Sequence, residues 1–448
     1  MWWDGKIQRT LRCRLDQKPG SLGRLLTAIG GEGGLIGEIS TVLMGGSAVD
    51  RDIVIYADDL KHVERIVKVV ATTEGVRLLE VRDEVLEMHQ GGKIAIRSRY
   101  DISDLSTLRR VYTPGVAEVS LRIRDNPALA RRFTSIRHLV AIVTDGTAVL
   151  GLGDIGPKAA MPVMEGKASL LETLTGLSGM PILLDTKDPD AIVETVAHIA
   201  PTFAAIQLED ISAPRCFGIE ERLQARLDIP VMHDDQHGTA VVVTAALLNA
   251  AKATGRDLSR SAIGVIGLGA AGLALARMLM FRFGHPVHGA DIAPDALDRL
   301  VRAGGIASDL AGLMAGCDVV IATTGAPGLI KEGMVRKGQI ILALSNPVPE
   351  IEPERAMAAG AAFAADGKSV NNVLGFPGIF RGAVDADVPR ITREMLIAAA
   401  ETIAAFAAPG EIVPNPLDKA LHRAVARAVA RVALAQGLNR DDLTGYFD

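Results

Sequence analysis

The sequence predicts an α/β protein built in three parts, and three patterns in it predict that class. Residues 1–90 alternate strand-like and helix-like stretches in the order βαββαβ, a ferredoxin-like module. Residues 91–250 carry short apolar runs that end in acidic or Gly-rich turns and alternate with helical stretches, as a mostly parallel sheet requires. Residues 251–448 open on a strand, a Gly-rich turn and a helix, then a second strand ending in an acid. This marks a Rossmann-type dinucleotide-binding domain, followed by further helices.

Composition frames these parts. The chain has 448 residues, 48% hydrophobic and 23% charged, the balance of a globular protein with sizeable cores. A formal net charge of −5 with no run of Lys or Arg leaves no electrostatic footprint for nucleic acid. The apolar runs are too short or too interrupted to span a membrane. A small molecule is the expected partner. Cys13, Cys216 and Cys317 stand far apart without C-x-x-C spacing, against a disulfide framework or a thiolate metal site. Each is expected to be a small buried hydrophobe. The start MWWDGKIQRT has no apolar signal core, so a reducing cytoplasm is expected.

In the first part, Ile7, Leu11, Cys13 and Leu15 alternate with polar residues, as in a half-buried strand. DQKPGS then turns the chain, with Ser21 placed as helix N-cap, and Leu22, Leu25, Leu26 and Ile29 follow at helical spacing. IGEISTVLM and RDIVIYA read as strands, Val63, Ile66, Val67 and Val70 as the stripe of a second helix, and VRLLEVRDEVLEM as a closing strand. With KPGSLGRLL opening its first helix, this module resembles an ACT domain, a small regulatory fold attached to metabolic enzymes. The resemblance implies a small effector, such as an amino acid, near Pro19, Gly20 and Ser21, where helix N-terminal N–H groups can meet a carboxylate. A dimerisation module without ligand fits the same residues, because turn and cap chemistry alone explains them.

GGKIAIRSRYDISD from Gly91 reads as a linker, and LVAIVTD, AVLGLGD, MPILLDT, FAAIQLED and IPVMHDD as strands between helical stretches such as KASLLETLTGL. Ligands of such sheets bind beyond the carboxyl ends of the strands, where these runs place their acids. In the third part Gly267, Gly269 and Gly272 fit G-x-G-x-x-G, and PVHGADI ends at Asp291, 22 residues past Gly269. The turn brings backbone N–H groups to a pyrophosphate, and the acid can bond both hydroxyls of an adenosine ribose. Asp291 would repel a ribose phosphate and the nearest following cation is Arg299, so NAD is expected over NADP. GLGDIG, with Gly151, Gly153 and Gly156, fits the same glycine pattern, but its next strand-ending acid is Asp185, 34 residues after Gly151, and that spacing is poor.

VMHDDQHG sets two carboxylates between two histidines, a combination that can ligate zinc. FAAIQLEDI, however, sets Glu209 and Asp210 at one strand end, and Asp234 and Asp235 stand at another, so oxygen ligands prevail and Mg²⁺ or Mn²⁺ is expected. His233 and His237 are expected as supporting or core histidines.

VYTPGVAEVS, TDGTAVLGLGDIGPKAAMPVMEGKASLL, LEDISAPRCFGIEERL, HDDQHGTA, SNPVPE and NNVLGFPGIF run in order from about residue 100 to the C-terminus and together resemble the malic enzyme family. The resemblance implies oxidative decarboxylation of (S)-malate to pyruvate and CO₂ with NAD(P) and a divalent metal. It implies metal ligands at Glu209, Asp210 and Asp235, with Asp234 not a direct ligand. Lys167 in MEGK resembles the family's base. A lysine takes the malate hydroxyl proton only if its pKa falls; desolvation would lower it, while Asp234 would oppose the shift and orient the amine. Tyr112 in YTPG resembles the general acid that protonates C3 of the enol, with Lys167 nearby favouring its phenolate. Asn346, Asn371 and Asn372 match asparagines that contact substrate, Asn346 being assigned to the cofactor as well. Ala148 stands where larger members are expected to carry an arginine, leaving Arg109, Arg110 and Lys158 as substitutes for malate's second carboxylate.

KALHRAVARAVARVAL and MLIAAAETIAAFAA read as packing helices. The resemblance implies a homodimer or higher homo-oligomer. The same architecture would serve a malolactic-type or non-decarboxylating 2-hydroxy-acid dehydrogenase, or a non-catalytic effector-binding sensor. The intact set Tyr112, Lys167, Glu209, Asp210 and Asp235 speaks against the sensor.

Overall fold

Leu11, Cys13 and Leu15 leave one face of the first strand and Arg12 and Arg14 the other, and the N-terminal sheet is organised by that division. The computed structural model describes residues 6–149, 151–368 and 370–447, in two units, Met1–Ala95 and Ile96–Asp448. In the first, β1 (Ile7–Asp16), β2 (Leu35–Met44), β3 (Ala48–Ala57) and β4 (Val76–Arg82) form an antiparallel sheet in the order β2-β3-β1-β4. Helices Ser21–Gly31 and Leu60–Thr72 bring Leu25, Ile29, Val63, Ile66 and Val70 against Leu11, Cys13, Leu15, Ile53 and Ile55.

On the opposite face Arg12 donates to both oxygens of Asp52 (2.8 and 2.9 Å) and Arg14 to both of Asp50 (2.6 and 2.7 Å), each across a directly paired position of β1 and β3. A one-residue slip would turn these charges into the core, so ion pairs and apolar face specify one register.

Two local expectations change. Gly20, at φ +82, is the N-cap of the first helix, and Ser21 lies inside it, buried, with its Oγ accepting from Arg24 Nη2 at 3.2 Å. Glycine takes the left-handed turn without strain, which moves the cap one residue back. The closing strand stops at Arg82, because Asp83 accepts the Leu86 N–H and caps a helix, Glu84–His89.

The second unit contains two parallel sheets. β5 (Leu139–Thr144), β6 (Ser178–Leu183), β7 (Ala205–Leu208) and β8 (Val231–His233) lie in the order β6-β5-β7-β8. β7 and β8 are buried throughout, and they read as apolar runs interrupted only by Gln207 and His233. Helices Pro189–Ile199 and Arg215–Arg226 cover them with Val193, Val196, Cys216 and Ile219. The described residues of AVLGLGD, from which Leu150 is excluded, form no strand: Val149 makes an isolated bridge to Gly153, between β5 and helix Pro157–Thr175.

Helix Asp234–Thr254 starts directly after β8 and leads into the second sheet. There β9 (Ile263–Ile266), β10 (His288–Ala290), β11 (Ile306–Ala307), β12 (Val319–Ala322), β13 (Ile340–Ala343) and β14 (Phe363–Asp366) run parallel in the order β11-β10-β9-β12-β13-β14, the strand order of a Rossmann fold. Helices Phe376–Asp385, Arg393–Phe406 and Lys419–Ala435 complete the unit. By contrast, helices Leu105–Val111, Gly115–Asp125 and Leu129–Phe133 contain no buried residue. Among the described residues no helix is long and apolar enough to cross a membrane.

Gly378 and Gly382 let helix Phe376–Asp385 approach helix Lys419–Ala435. A Cβ on Gly378 would lie 2.7 Å from Val425 Cβ, and one on Gly382 would lie 2.4 Å from the Ala426 carbonyl oxygen. Backbone cannot yield as a side-chain end can. Gly382→Ala is therefore expected to lower the unfolding free energy by about 1–3 kcal/mol, read as a fall in the urea midpoint at unchanged slope; an unchanged midpoint would refute the close packing.

Candidate active site

The ends of β7 and β8 bring four acids together. Glu209 and Asp210 follow Leu208, while Asp234 and Asp235 follow His233 and form the first turn of helix Asp234–Thr254. Asp210 adopts φ +54, a left-handed conformation that Asp tolerates better than most residues. Its N–H donates to Asp235 Oδ2 at 2.9 Å and its carbonyl accepts from Ala148 N at 2.9 Å, which joins the two strand ends to the loop after β5. One carboxylate oxygen from each of Glu209, Asp210 and Asp235 lies within 4.8 Å of the others.

Lys167 enters from the middle of helix Pro157–Thr175. Its buried Nζ lies 2.5 Å from Asp234 Oδ2 and 3.0 Å from Glu209 Oε1, with the Phe376 ring centroid 4.5 Å away. Gln207 Nε2 holds the other Glu209 oxygen at 2.7 Å. Asp210 Oδ2 and Asp234 Oδ1 are buried and meet no partner among the described residues.

Burial and crowding leave this cluster short of positive charge. Burial, with Asp235 and Glu209 beside it, pushes Asp210 up to about 8. Asp235 rises to about 6 and Asp234 to about 6, burial again being the main cause, and Glu209 is raised by burial in spite of Lys167. Burial by itself would lower Lys167, but Asp234 and Glu209 outweigh it and hold the ammonium well above its ordinary value. Three converging carboxylates with an unmet buried oxygen fit a hard divalent cation such as Mg²⁺ or Mn²⁺.

The histidines border this set without joining it. His233 is fully buried, its ring nitrogens without a hydrogen-bond partner among the described residues and Nδ1 3.8 Å from Asp235 Oδ2, and burial pushes its pKa down. His237 Nε2 meets Glu220 Oε2 at 3.0 Å, and the same glutamate accepts from the His233 N–H at 2.8 Å and from Gln236 Nε2 at 3.0 Å. Glu220 thus ties down the turn that presents Asp234 and Asp235. Sequence reasoning missed it, although its place on the apolar stripe of Cys216, Ile219 and Leu223 signals a buried acid. Gln207 and Phe376 were missed as well, and neither carries a local signal.

Other expected site residues are distributed unevenly. Asn372 lies beside the cluster, since a Cβ on Gly238 would be 1.8 Å from Asp234 Oδ1 and 3.5 Å from Asn372 Cβ. Asn371 Oδ1 accepts the Val373 N–H at 3.0 Å and Asn346 Nδ2 donates to the Gly367 carbonyl at 3.3 Å, both side chains on loops. Tyr112 ends helix Leu105–Val111 with 66% of its surface exposed, and its hydroxyl bonds to no described residue. No hydrogen bond or ring contact joins it to Lys167 among the described residues. Arg110 folds back on Ser106 and Thr107, and no ion pair joins Arg109, Arg110 or Lys158 to the acids among the described residues.

In the second sheet, Gly267 adopts φ +85 and Gly272 packs so tightly that a Cβ there would lie 1.8 Å from the Gly267 carbonyl oxygen. Gly269 caps helix Ala270–Phe283 and faces open space. Asp291, just past β10, accepts the Leu268 N–H at 2.6 Å and the Ala293 N–H at 2.8 Å, so the acid is fastened to the Gly-rich turn. The GLGDIG loop instead opens the Lys167 helix, and Asp154 within it pairs with Lys187 at 2.5 Å.

Residues 93–189 and 186–224 match the malic enzyme N-terminal domain, and residues 262–362 match the NAD binding domain of 6-phosphogluconate dehydrogenase. NAD-dependent malic enzyme 1 of Bacillus subtilis is 55% identical over 428 residues, 95% of this chain and 98% of that protein. The chain belongs to the malic enzyme family. The bifunctional malic/malolactic enzyme of Bacillus subtilis is 41% identical over 81% of this chain and 95% of its own length. The crystal structure of malic enzyme from Pyrococcus horikoshii matches with a TM-score of 0.78 at 38% identity, over 82% of this chain and 93% of that one. Lys167, Glu209 and Asp210 fall in the first matched domain of this malic enzyme, and Gly267 to Asp291 in the NAD-binding one.

The raised Asp210 makes stability depend on pH with a definite sign. Folded Asp210 holds its proton to about pH 8, whereas the unfolded residue loses it near 3.8. The metal-free malic enzyme is therefore expected to lose stability as pH rises between these values, with added Mn²⁺ reversing the trend. Thermal melts across that range, with EDTA or with Mn²⁺, test this; parallel curves would show that the carboxylates hold no cation.

Proposed function

We propose that this malic enzyme oxidises (S)-malate with NAD and releases pyruvate and CO₂. The observation that carries the reading is the buried contact of Lys167 with Asp234 and Glu209 beside three converging carboxylates. Glu209, Asp210 and Asp235 would hold Mg²⁺ or Mn²⁺, which when bound supplies a Lewis acid for the substrate's C2 oxygen. Gly267, Gly269, Gly272 and Asp291 would hold NAD, whose nicotinamide accepts the hydride, with Asn346 at its loop.

Lys167 Nζ takes the proton of the C2 hydroxyl as that carbon is oxidised, and Asp234 fixes the amine. For this the amine must be neutral, and the carboxylates that hold it charged lose that hold when their charge is committed to a cation. Loss of CO₂ from oxaloacetate leaves an enolate that needs a proton at C3, the task assigned to Tyr112. Asn372, beside Asp234, and Asn371 provide donors for substrate oxygens.

The exposure of Tyr112 supports a homodimer or higher homo-oligomer. Ile96, Tyr100, Leu105 and Leu121 are exposed on the same segment, apolar area that a second copy would cover while seating Tyr112, Arg109 and Arg110 at a site. The N-terminal unit, by its element order and its strand order β2-β3-β1-β4, supports a ferredoxin-like, ACT-like regulatory domain over residues 1–90. An effector would lie at Pro19, Gly20 and Ser21, where Arg24 adds a cation. Residues 91–250 then form the catalytic domain and 251–448 the NAD domain. Three free, buried cysteines suit a reducing cytoplasm.

With Mn²⁺ and (S)-malate the enzyme is expected to form NADH and pyruvate in equal amounts, and far less NADPH from NADP. Oxaloacetate as sole product would remove the decarboxylating half, and lactate would favour the malolactic reading that one relative's name raises. Lys167→Ala should cut malate oxidation by about 10²–10⁴-fold. Tyr112→Phe should spare reduction of added oxaloacetate better than decarboxylation, and equal loss of both would contradict its role.

A further inference from the structure

The Lys167 helix ends beside a cavity. Pro157–Thr175 closes at Gly176 against a cavity of about 510 Å³ whose wall includes Thr175, Arg381, Asp385, Lys419, His422 and Arg423. The acids on this wall are outweighed. Arg381 Nε and the Tyr446 hydroxyl both donate to Asp385 Oδ2 at 2.8 Å, and the other acid on the wall is Glu172, against Lys419 and Arg423. Lys419 and Arg423 are exposed, and their side chains make no ion pair or hydrogen bond with any described residue. Beneath them His422 is fully buried. Its Nε2 meets the Pro416 carbonyl at 2.8 Å, and its Nδ1 has no partner among the described residues, a buried acceptor that a bound O–H or water would satisfy.

We propose that this cavity binds a small anion carrying at least two negative charges, as carboxylates or phosphate, and that its occupancy is felt at Lys167. Lys419 and Arg423 supply uncommitted positive charge, and Arg381, whose Nε and Nη1 are held by Asp385 and the Thr175 carbonyl, offers the N–H groups of Nη2. The link to the site is mechanical. Arg381 Nη1 donates to the Thr175 carbonyl at 3.1 Å, fastening helix Phe376–Asp385 to the end of the Lys167 helix. The first residue of that same helix, Phe376, packs its ring 4.5 Å from Lys167 Nζ. An anion that engages Arg381 therefore acts on the two helices that position the amine.

The site does not depend on the proposed reaction, whereas the coupling rests on it, so the two are measured separately. Calorimetric titration of the full chain with inorganic phosphate and, separately, with succinate should give saturable binding of at least one. Binding should weaken tenfold or more in the Lys419→Ala/Arg423→Ala double variant and persist in Lys167→Ala. Phosphate alone or succinate alone identifies the ligand class. The ligand that binds should change the rate of malate oxidation in the wild type and not in the double variant. Both replaced side chains are exposed, and an unchanged melting temperature confirms that the double variant is folded. Equal binding by wild type and double variant, loss of binding in Lys167→Ala, or no binding of either anion overturns the site. Binding with an unchanged rate overturns the coupling, and a chain without malate activity still yields the binding result.

Discussion

One lysine and four carboxylates share a largely dry space at the ends of β7 and β8, and they cannot all be charged there without compensation. An unpaired buried charge costs several kcal/mol, and like charges in contact raise one another's pKa values. The chain meets this constraint in two ways. Lys167 is brought 2.5 Å from Asp234 by a long helix from another part of the sheet, and the remaining oxygens converge where a divalent cation would neutralise them. The surrounding elements keep this arrangement from relaxing. Gln207 holds Glu209, Asp235 accepts from the Asp210 backbone, and Glu220 fastens the turn before Asp234. Removing any of these would free a carboxylate to turn toward water.

The same economy of backbone governs the nucleotide side. Gly272 sits against the Gly267 carbonyl, and Asp291 accepts the Leu268 N–H, so turn and acid form one rigid unit before any cofactor arrives. Lys167 and the acids belong to one parallel sheet and this turn to the other. Helix Asp234–Thr254, which starts with two of the acids and ends before β9, is the covalent element that joins them. A chemical step needing both a base and a hydride acceptor is thereby supported by one continuous helix.

Much of this was legible in the sequence, and the exceptions have physical causes. Strand ends at Leu208 and His233 show because fully buried parallel strands are mostly apolar, here with only Gln207 and His233 as exceptions, and each gives way at once to a pair of acids. The glycines of the Rossmann turn show because only glycine fits a contact such as that of Gly272. Ser21 was misplaced by one residue because a left-handed Gly20 can cap a helix without a side chain. AVLGLGD looked like a strand because apolar residues flank its glycines, yet it turns back on itself at Val149 and Gly153. Phe376 could not be read at all, since its contact with Lys167 joins residues far apart in sequence and no periodicity encodes it. Tyr112 marks another limit: residue type and motif suggest a role, while position depends on what covers an exposed helix.

The proton held by Asp210 and the proton held by Lys167 are not independent. Both are retained because the same group of carboxylates lacks positive charge. Any cation placed among Glu209, Asp210 and Asp235 would favour loss of the first proton directly and of the second by withdrawing the negative field around the amine. Basicity at Lys167 and occupancy of the carboxylates are then two readings of one electrostatic balance. On the proposed function, a lysine whose pKa these carboxylates raise could still accept a proton once a cation draws off their field. Asp234 stands outside the converging set, so it would keep its bond to the amine when Glu209, the amine's other neighbour, turned its charge to a cation.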